Sequence, residues 1–298
     1  MATLPSVRYQ VTSKGQAVSA WPTRRDGTWR VWPVRVAAVA VTVLSLLPTL
    51  YVLAVSFKAG EAFYTSSLIP RQFTLDNYSR LLTTTGFKRW AVNSLILGGV
   101  GGAASTLIAA LAGYAFSRLR FPGRRYGILT LLLVQMLPTS VSIVAIYRIL
   151  LTVGLLNTLQ GLLLLYGLGG SAFAVWLLKN YIDSIPRELD ESAYVDGATP
   201  WQAFWRITFP LVQPMLAAQF IFSFIGIFND YMAPSLYLTS PELYPLGVGI
   251  KIYVAGQYQA NWTAFAAASV LSSLPILAIF FLAQRLLVEG LTRGALKG

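Results

Sequence analysis

The chain has 298 residues, of which 55% are hydrophobic and 11% are charged. Soluble domains carry about 25% charged residues, so this composition predicts a membrane protein. The sequence contains neither His nor Cys, which excludes an imidazole base, a Cys/His metal site, a thiol nucleophile and a disulfide. The net charge of +12 would favour nucleic acid in a soluble protein. Here we attribute it to basic loops on one side of a membrane and expect no nucleic-acid partner.

Residues 1–33 are predicted to form a cytoplasmic tail ahead of the first apolar segment. A basic region followed by an apolar run also occurs in signal peptides. Here the apolar run is long enough to cross a bilayer and no small-residue cleavage site follows it. We therefore expect an uncleaved first span.

Six apolar segments are each near the length of about 20 residues that a helix needs to cross a bilayer. They predict an all-α polytopic membrane protein, with a transmembrane domain over residues 34–290 and a cytoplasmic tail over residues 291–298. The spans are expected at residues 34–57, 90–117, 126–149, 159–178, 211–231 and 264–287.

The distribution of Lys and Arg predicts which segments face the cytoplasm. The N-terminal tail, the loop over residues 118–125 and the C-terminal tail each carry more basic than acidic residues. With six spans, these segments and the loop over residues 184–210 share one side, which the basic excess marks as cytoplasmic. The first outer loop weakens this bias, because it holds Lys58, Arg71, Arg80, Lys88 and Arg89, offset in part by Glu61 and Asp76.

The second span contains a run of small residues. Gly98 and Gly102 form a GxxxG pair, and Gly99 with Ala103 repeats the spacing. Small residues let helix backbones approach closely in lipid, where no hydrophobic force drives helices together. We therefore predict close helix packing at this point.

The loop over residues 184–210 is predicted to form a helix, a glycine turn and a second helix. Pro186 suits the first helical turn, and the acidic Glu188 and Asp190 lie near the positive end of the helix dipole. The helix is expected to end at about Val195, and Gly197 then supplies a left-handed cap.

A capping box is predicted at the start of the second helix, with Thr199 as N-cap, Pro200 as first helical residue and Gln202 as the reciprocal cap. The helix is expected to end at about Thr208, because Pro210 forbids its continuation without a break. An apolar stripe is expected to anchor this helix in the bilayer interface. The stripe consists of Trp201, Phe204, Trp205 and Thr208.

The first loop helix presents Glu191 and Asp196 beside the small Ala193 and Ala198. A short helix with such a face fits a cleft on a soluble partner. A solvated hairpin without a partner is the alternative, and we favour docking.

The loop also resembles a known family. Its pattern, Glu191-Ser192-Ala193-x3-Gly197-x9-Ile207-x-Phe209-Pro210, is similar to the EAA loop of ABC-importer permeases, with Ser192 in place of Ala and Phe209 in place of Leu. From about residue 34 onward the chain resembles the MalG-type permease subunits of maltose-like carbohydrate importers. Residues that carry this resemblance are found at 67–70, 114–118, 196–204, 282–292 and 296–298. Residues 228–231 and 240–244 are more similar to sugar permeases in general than to the enteric maltose subunits.

The resemblance implies import of a carbohydrate, maltose, maltodextrin or a related oligosaccharide, across a bacterial inner membrane. It implies a second, MalF-like permease, a homodimeric MalK-like ATPase and an extracytoplasmic sugar-binding protein, which would touch the outer segment over residues 233–261. It also implies that the C-terminal Leu296, Lys297 and Gly298 reach the ATPase. The loop residues implied to contact the ATPase are Glu191, Ser192, Ala193, Asp196, Gly197, Ala198, Ile207 and Pro210.

The chain lacks a Walker A pattern, so we expect no ATP site, no cofactor and no enzymatic activity in it; ATP and Mg²⁺ would bind to the partner ATPase. Candidate contacts for sugar are Tyr166, Trp176, Asn229 and Asp230, although aromatic residues in a helix bundle more often serve packing.

Two other functions are weighed. A secondary transporter or channel that does not use ATP would require paired ionisable residues deep in the spans and inverted repeats, and neither is evident. A membrane-embedded enzyme would require a nucleophile, a base or a metal cluster, and the sequence offers no convincing set.

Overall fold

The computed structural model describes residues 9–11, 17–19, 32–60, 72–136, 139–169, 172–255 and 261–295. The chain forms two compact units, Met1–Tyr51 and Val52–Gly298. In the first unit, strands β1 (Tyr9–Val11) and β2 (Ala17–Ser19) pair antiparallel. Helix α1 (Trp32–Ser56) begins in the first unit and ends in the second. Most residues of this helix are apolar.

The second unit is mainly helical within the described residues. Its first helices are α2 (Asp76–Thr84), α3 (Phe87–Ile96), a π-helical turn (Leu97–Gly101), α4 (Gly102–Arg118), α5 (Arg124–Gln135) and α6 (Thr139–Thr152). Next come α7 (Leu159–Leu168), α8 (Ala172–Asp183), α9 (Glu188–Val195), α10 (Pro200–Ala203), a second π-helical turn (Phe204–Thr208), α11 (Phe209–Leu211) and α12 (Gln213–Phe228). The last elements are α13 (Met232–Tyr237), a 3₁₀ turn (Pro241–Leu243), α14 (Leu246–Gly249), a 3₁₀ turn (Ile250–Tyr253) and α15 (Trp262–Ala295).

Several of these helices are long and apolar enough to cross a membrane. Among the described residues three continuous helices meet this test: Trp32–Ser56, Phe87–Arg118 and Trp262–Leu282. The number rises to five if two bent pairs are each one span; α7 and α8 meet at 44°, and Pro200–Leu211 meets α12 at 80°. The predicted span over residues 126–149 corresponds to α5 and α6, and residues 137–138 between them lie outside the described part. The count of six spans therefore stays a prediction.

Helix α4 lies at the centre of the packing, against α7, α8 and α12. A Cβ atom added to Gly98 would lie 2.9 Å from the Phe224 ring, and one added to Gly102 would lie 3.3 Å from the Phe224 nitrogen. Further along, a Cβ atom on Gly113 would lie 3.0 Å from the Lys179 nitrogen on α8. The close helix packing predicted from the GxxxG pair is confirmed.

The segment between α12 and α15 folds back onto α3. Trp90 Nε1 donates to the Pro241 carbonyl at 2.8 Å, and Asn93 Nδ2 donates to the Glu242 carbonyl at 2.9 Å. Ser94 Oγ accepts from a backbone N–H of the same segment at 2.8 Å. Because buried α3 side chains supply these bonds, the short helices of this segment have a fixed position at one end of the bundle.

Candidate functional site

The 184–210 loop turns at a glycine, as predicted. Helix α9 ends at Val195, and Gly197 has a φ of +84°. The N–H of Gly197 donates to the Tyr194 carbonyl at 3.1 Å, and the N–H of Ala198 donates to the Ala193 carbonyl at 2.8 Å. This pair of bonds is a Schellman motif, which needs a left-handed residue at the glycine position.

The predicted capping box is also present at the start of the second loop helix. The Gln202 N–H donates to Thr199 Oγ1 at 3.3 Å, and the Thr199 N–H donates to Gln202 Oε1 at 2.9 Å. Pro200 is the first helical residue. Both ends of the turn are therefore fixed by local hydrogen bonds, which gives the loop a defined shape.

The predicted end of the second helix is wrong. The helix passes through the π-helical turn Phe204–Thr208 and continues as α11 to Leu211, so it includes Pro210. The Phe209 N–H donates to the Phe204 carbonyl, five residues back. This π-type bond comes directly before Pro210, which has no N–H to donate. The break comes instead at Val212, before Pro214 in the first turn of α12.

The apolar stripe on the second helix mostly faces the protein rather than the bilayer, which corrects the predicted interfacial anchor. Phe204 is 1% exposed and Thr208 is fully buried. The ring of Tyr114 on α4 meets the Phe204 ring edge-on at 5.2 Å, and its hydroxyl donates to the Pro200 carbonyl at 3.2 Å. Within the stripe, Trp201 remains strongly exposed. The buried face of the second helix is therefore part of the bundle core.

A buried ion pair fastens the first loop helix to the bundle. Arg118 Nε, at the end of α4, donates to Asp190 Oδ2 at 2.6 Å, and the side chains are only 3% and 4% exposed. Arg118 Nη2 also donates to the Ile185 carbonyl at 2.8 Å. The Thr208 hydroxyl donates to Asp190 Oδ1 at 3.2 Å. One carboxylate thus joins α4, α9 and the π-helical turn through charge-assisted hydrogen bonds.

The sequence analysis did not predict the ion pair between Arg118 and Asp190. The sequence interpretation took Arg118 as a topology marker and Asp190 as a complement to the helix dipole. The two residues are 72 positions apart, so no local spacing pairs them. The only signal in the sequence was an opposite charge on each of two segments predicted to lie on the same side of the membrane.

The outer surface of the loop is accessible. Val195 is 88% exposed, at the tip beside the Schellman turn, and Tyr194 and Leu189 are also exposed. An exposed apolar tip on a firmly held loop is typical of a docking surface. Of the eight predicted contact residues, Glu191, Ser192, Asp196, Gly197 and Pro210 are exposed, and Ala193, Ala198 and Ile207 are half-buried.

Three of the four candidate sugar contacts lie near one another. Tyr166 Oη donates to Asp230 Oδ2 at 2.8 Å, and Asp230 Oδ1 accepts the Met232 N–H at 2.8 Å, at the start of α13. Asn229 precedes Asp230 and is exposed, with its amide donating to a carbonyl one turn back. Trp176 lies on α8, where its ring packs against Phe173. These contacts bring α7 and the end of α12 together.

The carboxylate of Asp230 also influences the segment that follows α12. Burial, and then the charge of Asp230, raise the pKa of the Tyr237 phenol above its ordinary value. Tyr237 Oη donates to the Ile143 carbonyl at 3.1 Å, so this phenol stays protonated and acts as a donor.

The predicted ATPase contacts at Leu296, Lys297 and Gly298 lie outside the described residues.

Comparisons with known proteins agree with this arrangement. The profile of the family "Binding-protein-dependent transport system inner membrane component" matches residues 105–293. The chain is 39% identical to the maltose/maltodextrin transport system permease protein MalG of Vibrio parahaemolyticus, over 91% of this chain and 97% of the relative. It is 36% identical to the galactooligosaccharides transport system permease protein GanQ of Bacillus subtilis, over 87% of this chain and 92% of the relative.

The fold also matches a solved structure. A chain of a bacterial ABC transporter that imports the acidic polysaccharide alginate has a TM-score of 0.75, with 23% identity, over 90% of this chain and 99% of the other. This likeness concerns the fold alone. With the family profile matching more than half of its length and relatives above 30% identity along most of it, this chain belongs to the family of binding-protein-dependent transport system inner membrane components.

Proposed function

We propose that this chain is a transmembrane permease subunit of an ATP-driven, binding-protein-dependent sugar importer. The observation that carries the proposal is the 184–210 loop, whose exposed tip at Val195 is held rigidly by the buried pair of Arg118 and Asp190. A surface that is accessible and also mechanically fixed suits the transfer of force from a soluble ATPase. Membership of a family of transport components supports the same function.

In this proposal the loop couples ATP hydrolysis to movement of the bundle. The ATPase, which binds ATP and Mg²⁺, docks on the loop through the residues around Glu191, Gly197 and Val195. Closure of its dimer pulls α9, and the Arg118–Asp190 pair passes the load to α4. Because α4 packs against α7, α8 and α12, the helices would move together between inward-open and outward-open states.

The remaining partners follow from the same proposal. A second permease, similar to MalF, completes the pathway, and a homodimeric ATPase, similar to MalK, binds below it. An extracytoplasmic sugar-binding protein would dock on the segment over residues 233–261, which α3 holds in place. The C-terminal Leu296, Lys297 and Gly298 would add contacts to the ATPase. We propose six spans in a bacterial inner membrane, with both termini in the cytoplasm.

The proposed sugar pathway passes the Tyr166–Asp230 hydrogen bond and the exposed Asn229. A phenol, a carboxylate and an amide together offer donors and acceptors for sugar hydroxyl groups. The similarity to relatives named for maltodextrin and for galactooligosaccharides is nearly equal, at 39% and 36% identity. This supports an oligosaccharide, with maltose or maltodextrin as the first substrate to test.

The test is co-purification followed by transport in proteoliposomes. The tagged chain is expected to recover a second permease and an ATPase with a Walker A sequence. Glu191→Lys should reduce ATPase recovery, because it reverses the charge on the docking helix. Glu242→Lys is the matched control, since Glu242 is exposed in the segment between α12 and α15. Full ATPase recovery with Glu191→Lys would contradict the proposed docking surface. Sugar flux through the chain alone, without ATP, would favour a secondary transporter.

A further inference from the structure

A cleft outside the 184–210 loop opens where α4, α5 and α8 meet. Its volume is about 620 Å³. Its walls combine three basic side chains, Arg124, Arg125 and Lys179, with the aromatic Phe116 and Tyr126. Neither the docking of an ATPase nor the passage of sugar uses these residues. This combination of cations and aromatic rings is suited to a ligand that carries an anionic group.

The positive charge in the cleft is only partly neutralised. Arg124 donates to the carbonyls of Phe116 and Ser117 at 2.7 and 2.8 Å, which fixes the guanidinium but leaves its charge. Arg125 is exposed. In the part of the chain that the structure describes, no carboxylate lies within ion-pair distance of either arginine. The charge of Lys179 is neutralised by Asp183, whose Oδ2 lies 2.5 Å from the Lys179 Nζ.

The helix that forms one wall adds to the attraction for an anion. Helix α5 begins at Arg124 and has no acidic residue in its first turn. Its N-terminal end therefore carries the partial positive charge of the helix dipole without a side chain to complement it. The fixed guanidinium of Arg124, the exposed Arg125 and this dipole together favour a ligand with a negative charge at the mouth of the cleft.

The surface beyond the cleft is apolar. Tyr126 is 69% exposed, and the apolar side chains that follow it along α5 are exposed as well, among them Leu129, Leu133 and Val134. A free phosphate ion would satisfy the cations and leave this surface bare. A phospholipid satisfies both, because its headgroup meets the arginines while its acyl chains lie along the helix.

We propose that this cleft binds the phosphodiester headgroup of an anionic phospholipid, with the acyl chains along α5. The assignment to the cytoplasmic leaflet rests on the orientation given in the proposed function, whereas the binding itself does not. A lipid held here would link α5 to α4 and α8 within one turn of Arg118, the residue that anchors the loop. Anionic lipid would thus stabilise the part of the bundle that receives the load.

The test uses the detergent-purified full-length protein, titrated with phosphatidylglycerol or phosphatidylcholine and examined by native mass spectrometry. We expect tighter binding of phosphatidylglycerol. Arg125→Gln should weaken it about fivefold, the factor equivalent to about 1 kcal/mol for one cation at a membrane surface. Arg120→Gln removes the same charge at an exposed position between α4 and α5, outside the cleft lining, and should leave binding unchanged.

Three results would overturn the lipid site: no preference for phosphatidylglycerol, equal losses in Arg125→Gln and Arg120→Gln, or displacement of the lipid by millimolar inorganic phosphate. The last would indicate a site for the free anion. Because Arg125 is exposed, its substitution is not expected to prevent folding, and melting of each variant checks this. The assay contains no ATP and no sugar, so failure of the transport proposal would leave its result valid.

Discussion

Removing one partner of the buried ion pair between Arg118 and Asp190 should destabilise the protein far more than removing one partner of an exposed pair. Asp190→Leu leaves Arg118 charged and only 3% exposed, without its carboxylate. Removing one partner of a buried pair typically costs about 3–5 kcal/mol. Replacing both, as Arg118→Met with Asp190→Leu, removes the buried charges together and is expected to restore most of that loss. Because only the single variants leave an unpaired charge, the effects should be strongly non-additive.

The assay is the free energy of unfolding, from SDS titration of the purified chain in mixed micelles. Lys179→Met is the control, since its pair with Asp183 is 26% and 33% exposed and a pair of that kind contributes about 0.2–1 kcal/mol. Trypsin digestion should show faster cleavage of the 184–210 loop in Asp190→Leu only. If the double variant lost the sum of the two single losses, the reasoning on the buried pair would be refuted.

Three further substitutions test other parts of the molecule. Gly197→Val forces about 1–2 kcal/mol of left-handed strain into the Schellman turn and should abolish sugar-stimulated ATPase activity; Gly154→Val, at a φ of +70° with open space around it, strains the backbone similarly and should not. Gly98→Ala should cost about 1–3 kcal/mol of unfolding free energy because its Cβ would meet a buried ring. Gly99→Ala is the control: its Cβ meets open space, and because Ala is the better helix former it should be neutral or stabilise the protein by up to about 1 kcal/mol. Tyr166→Phe should slow sugar uptake several-fold with ATPase recovery unchanged, and wild-type uptake would remove it from the sugar pathway.

Local chemistry made the turn of the 184–210 loop predictable. Gly197, Thr199 and Gln202 act on backbone groups within a few residues, so their roles could be inferred from spacing alone. The glycine pair in the second span was predictable for a related reason, since lipid gives helices few other ways to pack closely. The turn and the capping box depend on hydrogen bonds between residues that are close in the sequence. The glycine pair depends only on close approach to some neighbouring helix, whichever helix that is.

The errors have a common physical origin. Helical spacing defined an apolar stripe through Phe204 and Thr208, but spacing does not say whether lipid or protein covers a face, and α4 covers this one. The passage of the second helix through Pro210 depended on a π-helical turn that no residue pattern announces. The pairing of Arg118 with Asp190 depended on the tertiary fold. Contacts that join distant segments are what a single sequence conceals.

The physics of a membrane bundle explains why α4 is suited to receive force in the proposed importer. Helices in lipid gain little from apolar contact with one another, so a rigid connection requires close backbone approach or buried polar bonds. Helix α4 has both, because Gly102 and Gly113 bring it against α12 and α8, and Arg118 fixes its end to the loop. A force applied to α9 would therefore be transmitted directly to α4 through the charge-assisted hydrogen bonds of Asp190 with Arg118. If the contact between Arg118 and Asp190 were flexible, movement of the ATPase would displace α9 alone and would not reach the helices that line the proposed sugar pathway.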